Sequence, residues 1–396
     1  MLKLEMLFIR SISLAIIIFM ISTILAYKEF KFSKAIYSGY DSLSQLISFK
    51  LNKQFKTSNQ MSNEVLVQSD LNPISDFYYA SVFGYRNDIN LVDRNGGLVH
   101  QWKISDLNFA DTVVPFSFEI FNNLDIIINT DTVWDGIDSS FIARLDKNSN
   151  IIWKTLTSTH HWISHYDNKI YTPIRYFKVF PSELSESIKN NAPLGLCNSL
   201  DLIQKKSWYE NIQVLSSSNG EIIYEIDLLQ KLSEHENVSK KIQHCSNPLH
   251  LNDVVPVTEL QGLKNSSLNE NDLIVSMNSP NLIVILDSQN DYKVKNYYDT
   301  YFKKQHAPRV TNHNTLLVYD NQGGSSNKYG PSRIVEIDLD SRKILGFFDG
   351  SDDIFFDSNA RGYIDVIEDG VYLITSPIDF HVFIINCKNQ NNFLNN

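Results

Sequence analysis

The chain has 396 residues, of which 43% are hydrophobic and 12% aromatic, and a formal net charge of −10. Its length and apolar content suffice for a large core, and 23 Phe with 19 Tyr favour strands over helix bundles. No basic tract is available to neutralise phosphates, which argues against nucleic acid as a partner.

The first element is apolar. Lys3 and Arg10 precede an uncharged run over residues 11–27, which as a helix reaches about 25 Å, near the lower limit for crossing hydrocarbon. It is either a cleaved signal peptide or an uncleaved anchor, and Ile24-Leu25-Ala26 is a poor cleavage site, which favours the anchor. In both cases the positive charge on its N-terminal side places the remainder outside the cytoplasm, on the periplasmic or extracytoplasmic side. Residues 1–35 are therefore expected to be a membrane anchor or signal segment. Residues 36–75 follow as a stalk helix, carried by Leu43, Leu46, Ile47, Leu51 and Phe55 at helical spacing, and a polar linker.

Residues 76–396 are β-rich and repetitive. An apolar strand, a turn of Asp, Asn, Ser and Gly, and a second apolar strand recur at 89–102, 141–153, 212–224, 282–294 and 334–345, with a decayed copy at 382–386. Further hairpins lie between these, for example at 114–128 and 363–374. Two hairpins per repeat make a four-stranded unit. Six units at this period indicate an all-β fold, a six-bladed β-propeller preceded by a transmembrane helix and carrying short helical insertions. A large β-sandwich is the alternative. The insertions fall at 178–208 and 227–247, around the third repeat. Cys197 and Cys245 either pair or, with Cys387, are buried thiols; no Cys/His spacing suggests structural zinc.

Three histidine segments stand at the entrance to strand–turn–strand units: His160-His161-Trp162-Ile163, His250-Leu251-Asn252-Asp253 and Gln305-His306-Ala307-Pro308. Equivalent positions of a repeating fold converge in space, so these residues are expected at one channel mouth. Counting back from Asn168 and Asn314 in the two turns pairs His160 with His306, with His161 one residue away. Asn252 points to the same rim. Such a cluster can bind a metal through neutral imidazoles, hold an anion, or supply a nucleophile that accepts a group while its neighbours stabilise developing charge. No carboxylate recurs at the site, which speaks against a metal. Packing or capping histidines are the bland alternative.

The segments 272–287, Gln305-His306-Ala307-Pro308-Arg309-Val310 with 316–321, and His250-Leu251-Asn252-Asp253-Val254 resemble the arylsulfotransferase family, in order and spacing over roughly residues 85–390. The resemblance implies a six-bladed propeller that moves a sulfuryl group from an aryl sulfate to a phenol without a nucleotide donor, metal or other cofactor. It also implies that His306 is the nucleophile, forming a transient sulfohistidine, with His250 and His160 or His161 binding sulfuryl oxygens or shuttling the phenol proton. Asn252, Asn278 and Arg309 are expected to contact substrate. Two positions depart from the family. Asn278 stands where the pattern has an arginine, with Arg175, Arg309, Arg333 and Arg361 as candidate substitutes. Ala307 follows the histidine where an acid is common. The alternative from another class is a propeller that only binds an anionic or aromatic ligand, or an interaction scaffold.

Overall fold

The structure is a computed structural model that describes residues 78–82, 88–93, 97–104, 115–130, 140–178, 207–242, 247–258, 268–299, 302–323, 330–350, 356–368, 370–376 and 381–386. The expected anchor, stalk helix and linker, and Cys197, Cys245 and Cys387, lie outside these residues. Among the described residues no helix is long and apolar enough to cross a membrane.

Strands follow one another as antiparallel meanders in six sheets. The first holds β1 (Tyr78–Val82), β2 (Ile89–Asp93) and β3 (Leu98–Trp102). The second holds β4 (Pro115–Ile120), β5 (Ile126–Thr130), β6 (Phe141–Leu145) and β7 (Ile151–Leu156). The third holds β8 (Ser164–Tyr166), β9 (Lys169–Lys178), β10 (Ser207–Ser216) and β11 (Ile222–Ile226). The fourth holds β12 (Leu251–Pro256), β13 (Leu273–Met277), β14 (Leu282–Asp287) and β15 (Lys293–Tyr298). The fifth holds β16 (His306–Val310), β17 (Thr315–Asp320), β18 (Arg333–Asp338) and β19 (Ile344–Phe348), and the sixth β20 (Tyr363–Glu368), β21 (Val371–Ser376) and β22 (His381–Asn386).

The recurring hairpins of the sequence are the outer halves of these sheets, and their turns have a common local cause. In the turn between β2 and β3 the Asp93 Oδ1 accepts from the Gly97 N–H at 2.8 Å. Asp146 does the same for Asn148 and Asn150 between β6 and β7, and Asp338 for Ser341 between β18 and β19. A short carboxylate that mimics a backbone acceptor closes the turn. A register shift then falls one step into each hairpin, at Leu91/Val92, Arg144/Leu145, Val214/Leu215, Ile285/Leu286 and Glu336/Ile337. The repeat is thus one of turn chemistry and bulge position as well as of strands.

Packing closes the architecture. Middle strands such as β5, β13 and β17 are buried along their whole length, because the second, fourth and fifth sheets are covered on both faces by their neighbours. Separate apolar clusters fill the interfaces. Trp102 and Ile89 meet Ile126 and Phe141 between the first and second sheets; Val254 and Leu273 meet Ile212 and Leu249 at the third and fourth. The insertion after β11 folds as two short helices, α1 (Leu228–Ser233) and α2 (Glu236–Ser239), which bury Leu228, Leu229, Leu232 and Val238 in that core.

The all-β propeller is as expected, but a ring of six complete blades is not. Four sheets carry four strands, and five present an innermost strand, namely β4, β8, β12, β16 and β20. The first sheet begins at the strand equivalent to the second of the others. The last stops after its third, since the decayed copy at 382–386 is β22, which pairs with β21 and with no further strand among the described residues. The innermost strands lie beside one another: β12 packs against β8, β9 and β16, and β16 against β20.

Candidate functional site

The three histidine segments converge. His306 opens β16, His250 immediately precedes β12, and His160 and His161 precede β8. The His161 Nε2 lies 3.4 Å from the His250 Nε2. Ring centroids are 3.7 Å apart for His160 and His161, 5.4 Å for His161 and His250, and 6.1 Å for His161 and His306.

The question of which adjacent histidine matches His306 resolves into two roles. The His160 N–H bonds the Pro173 carbonyl at 2.9 Å, and His306 pairs with Tyr319 across β16 and β17. Pro173 and Tyr319 stand at the same offset from Lys169 and Thr315, the first residues of β9 and β17, so His160 is the backbone equivalent of His306. His161, the equivalent of Ala307, puts its ring between the others. His161 and Ala307 share positive φ, 59° and 46°, and His250 has φ 46°. Side chains avoid this region, so tertiary contacts enforce it. For His161 the contact is Asn129 of β5, whose Nδ2 donates to the His161 carbonyl at 2.7 Å while its Oδ1 accepts from the N–H and hydroxyl of Ser117.

Hydrogen bonds place the ring proton differently on His306 and His250. The Nδ1 of His306 meets two acceptors, the Lys304 carbonyl at 2.9 Å and the Asn321 Oδ1 at 2.8 Å. The Asn321 Nδ2 is committed to the carbonyls of Ser358 and Arg361, which fixes its oxygen toward the ring. His306 therefore carries its proton on Nδ1 and a lone pair on Nε2. In the third sheet the residue at the Asn321 offset is Arg175, and its Nη1 lies 3.3 Å from the His160 Nε2. Equivalent positions thus present an acceptor to one histidine and a cation to the other. For His250, the Asn247 Oδ1 accepts from its backbone N–H, so the Asn247 Nδ2 faces Nδ1 at 3.0 Å and leaves the proton on Nε2. That proton points at the His161 Nε2.

Burial and neighbouring charge hold His161 and His306 below the ordinary histidine range. Burial first, then His160, His250, His306 and Arg175, hold His161 well below the ordinary histidine range. Burial also lowers His306, opposed by the Asp253 charge and by its bonds to Asn321 and Lys304. Glu210 is pushed up to about 7, by burial first, against the Leu251 N–H and Arg175; its Oε1 lies 3.7 Å from the His160 Nε2.

The other expected residues divide. Asn252 is fully buried and donates through Nδ2 to the Gln305 carbonyl at 2.6 Å, so it anchors the chain just before His306. Gln305 completes that clamp by donating to the Ser276 hydroxyl and to the carbonyls of Met277 and Leu282. Asn278 joins the site through its backbone N–H, which donates to the His250 carbonyl at 2.9 Å. Arg309 turns aside from the imidazoles. Its guanidinium sits 4.6 Å from the Tyr363 ring centre and donates to the Pro308 carbonyl, among the charges of Asp253 and Asp365. Arg333 pairs with Asp320 at 2.8 Å. Arg361 lies 5.2 Å over Phe116, close enough for its charge to lower His306. Of the four candidate arginines, Arg175 and Arg361 flank the histidines.

Asn129, Asn247, Glu210 and Asn321 are the neighbours that sequence reading missed. Asn321 was reachable, since it holds the offset of Arg175. Asn129 and Asn247 belong to no repeated pattern. One ring nitrogen each of His160, His161 and His250 lies within 4.8 Å of the others, a spacing that a divalent ion can bridge. The second layer does not suit one: Asn247 keeps a proton on the His250 Nε2, and Arg175 sets positive charge against His160. The arrangement fits an anion or a proton in transit.

Fold and site together define an all-β propeller with a buried histidine cluster where its innermost strands meet. The family model of the arylsulfotransferases (ASST) matches residues 118–383, and the chain belongs to that family. No curated protein matches the sequence. Among solved structures the chain is similar to a protein of unknown function from Bacteroides caccae, at 8% identity and TM-score 0.44 over 76% of this chain and 82% of that one. It is also similar to BamB from Moraxella catarrhalis, at 11% identity and TM-score 0.33 over 79% and 73% of the two chains. A chain of a mitotic checkpoint complex matches at 7% identity and TM-score 0.39 over 80% and 81%.

Proposed function

We propose that this protein transfers a sulfuryl group from an aryl sulfate to a phenol through a sulfohistidine on His306. The observation that carries the proposal is the double acceptor on the His306 Nδ1, which leaves Nε2 as a neutral nucleophile. The Nε2 lone pair attacks sulfur, the S–O(aryl) bond breaks, and the phenolate leaves with the bonding pair. The phenolate leaves as the anion, its developing charge faced by the imidazole N–H groups, and takes up a proton from solvent after release. Arg175 and Arg361 provide the positive charge that Asn278 does not, and the imidazole N–H groups bind sulfuryl oxygens. An acceptor phenol then loses its proton to solvent, its oxygen attacks sulfur, and the N–S bond breaks with its electron pair returning to the His306 Nε2.

Incubation with a chromogenic aryl sulfate and a phenol acceptor tests this. The native protein is expected to release phenolate with ping-pong kinetics, and His306→Ala to release none. Silence from the native protein ends the enzyme reading; release that survives the substitution removes His306 from its role.

Asn278 favours a second reading, a propeller that binds an anionic aryl ligand without turnover. Saturable binding of an aryl sulfate with no phenolate release marks that case. Residues 11–27, in this proposal, hold the propeller to a membrane on its extracytoplasmic side. Recovery of the full chain in the aqueous phase of a detergent partition sinks the membrane anchor.

A further inference from the structure

We infer that Asp253 is a positioning residue for His306: from the neighbouring sheet it supplies the negative charge that stabilises the ring once sulfur is bound. The inference rests on the sulfohistidine reading above and adds a residue to it. Asp253 lies in β12, is 1% exposed, and its Oδ2 accepts from the Ala307 N–H at 3.0 Å, the peptide group directly after His306. Its Oδ1 has no hydrogen-bond partner among the described residues. A carboxylate with one oxygen unbonded in a buried site carries a large desolvation cost, which a forming cation nearby offsets.

The chemistry creates that cation. The His306 Nδ1 already bears a proton, so a bond from Nε2 to sulfur makes the ring an imidazolium, with the opposite charge on the sulfuryl oxygens. The bond donors that face those oxygens do nothing for the ring. Ring charge is met by the Lys304 carbonyl, the Asn321 Oδ1 and the carboxylate of Asp253. Ala307 holds φ 46°, a conformation that an Ala does not choose, and the Asp253 bond to its N–H keeps it there. One side chain thus orients the nucleophile through the backbone and balances its charge through space. It takes over the task of the acid absent at Ala307.

The charged and titratable groups around the pair are Arg309 beside Asp253, and Arg361 and His161 beside His306, with Asp365, Glu119 and Tyr363 reached through Arg309. Asp253→Asn preserves shape and removes charge. Two readouts are needed: the His306 titration midpoint, from ring-labelled histidine NMR assigned against His306→Ala, and the single-turnover phenolate burst. In D253N the midpoint is expected to fall by about one pH unit, because an attracting charge is lost. The burst is expected to slow about 10²-fold, as when one stabilising group is removed from a developing charge. An unmoved midpoint, with or without a slower burst, overturns the inference, since a purely structural role changes the rate alone.

If D253N does not fold, Asp253→Glu decides. A midpoint kept at the native value with a burst within about tenfold of native supports the role, because the charge is retained at a shifted reach. A midpoint that falls in D253E overturns it. Failure of sulfuryl transfer itself shows separately, as absence of phenolate from the native protein, while the midpoint comparison still tests the Asp253–His306 pairing.

Discussion

Four imidazoles at the convergence of the inner strands differ in what they offer, and the difference lies in single partners. Asn321 gives His306 an acceptor and Arg175 gives His160 a cation, from the same offset in two sheets. Arg175→Met is expected to lower kcat/KM for an aryl sulfate about 10²-fold with little change in melting temperature, as measured by steady-state kinetics beside thermal unfolding. A loss confined to stability would make Arg175 a packing residue. In the proposed reaction the depressed proton affinity of His306 would set the acid limit. A group held below the ordinary histidine value of 6.5 stays neutral as pH falls through that value, so the phenolate burst should persist at pH 6 and decline only at lower pH. A burst that halves near pH 6.5 would show that burial has not shifted the nucleophile.

At the scale of elements, turns and clamps decide register. Gly220 has φ 74°, and a Cβ there would meet the Trp153 ring at 2.5 Å, where the third sheet packs on the second. Gly220→Ala is expected to cost about 2–3 kcal/mol, read from the denaturation midpoint. Gln305 is a second such point, because its amide bonds two carbonyls of the fourth sheet from the residue before His306. Gln305→Ala should lose about 2 kcal/mol by leaving buried carbonyls unpaired, and should disturb the His306 titration more than a surface substitution does. The outer hairpins were legible because Asp146 and Asp338 follow alternating apolar strands, a pattern with a local cause. The short helical insertion expected within 227–247 is present as α1 and α2. Asn252 was seen as a site residue, but its amide is spent on the Gln305 carbonyl, a bond between sheets that no local pattern announces.

For the whole molecule, one acid of the packed centre, Glu119, prefers to stay protonated at neutral pH. Glu119 is raised to about 8, by burial first and by Asp365 second, against Arg309. The folded state then binds this proton more tightly than the unfolded chain does, so the contribution to stability falls as pH rises from about 4.5 toward 8. Glu119→Gln should remove that decline. Its melting temperature relative to the native protein is expected to improve steadily between pH 5 and pH 8, and a constant difference would refute the raised value.

The sequence by itself determined the all-β propeller and the convergence of its histidines, because strand alternation, Asp-closed turns and the period between units are local signals repeated along the chain. It also singled out His306, through motifs that resemble the family. The count of inner strands, the commitment of Arg309 to Tyr363 and nearby carboxylates, and the proton positions on His306 and His250 come from tertiary contacts. Each depends on which side chain of one sheet reaches another, as Asn247, Asn321 and Asp253 do, and such contacts leave no mark in the spacing of residues along the chain.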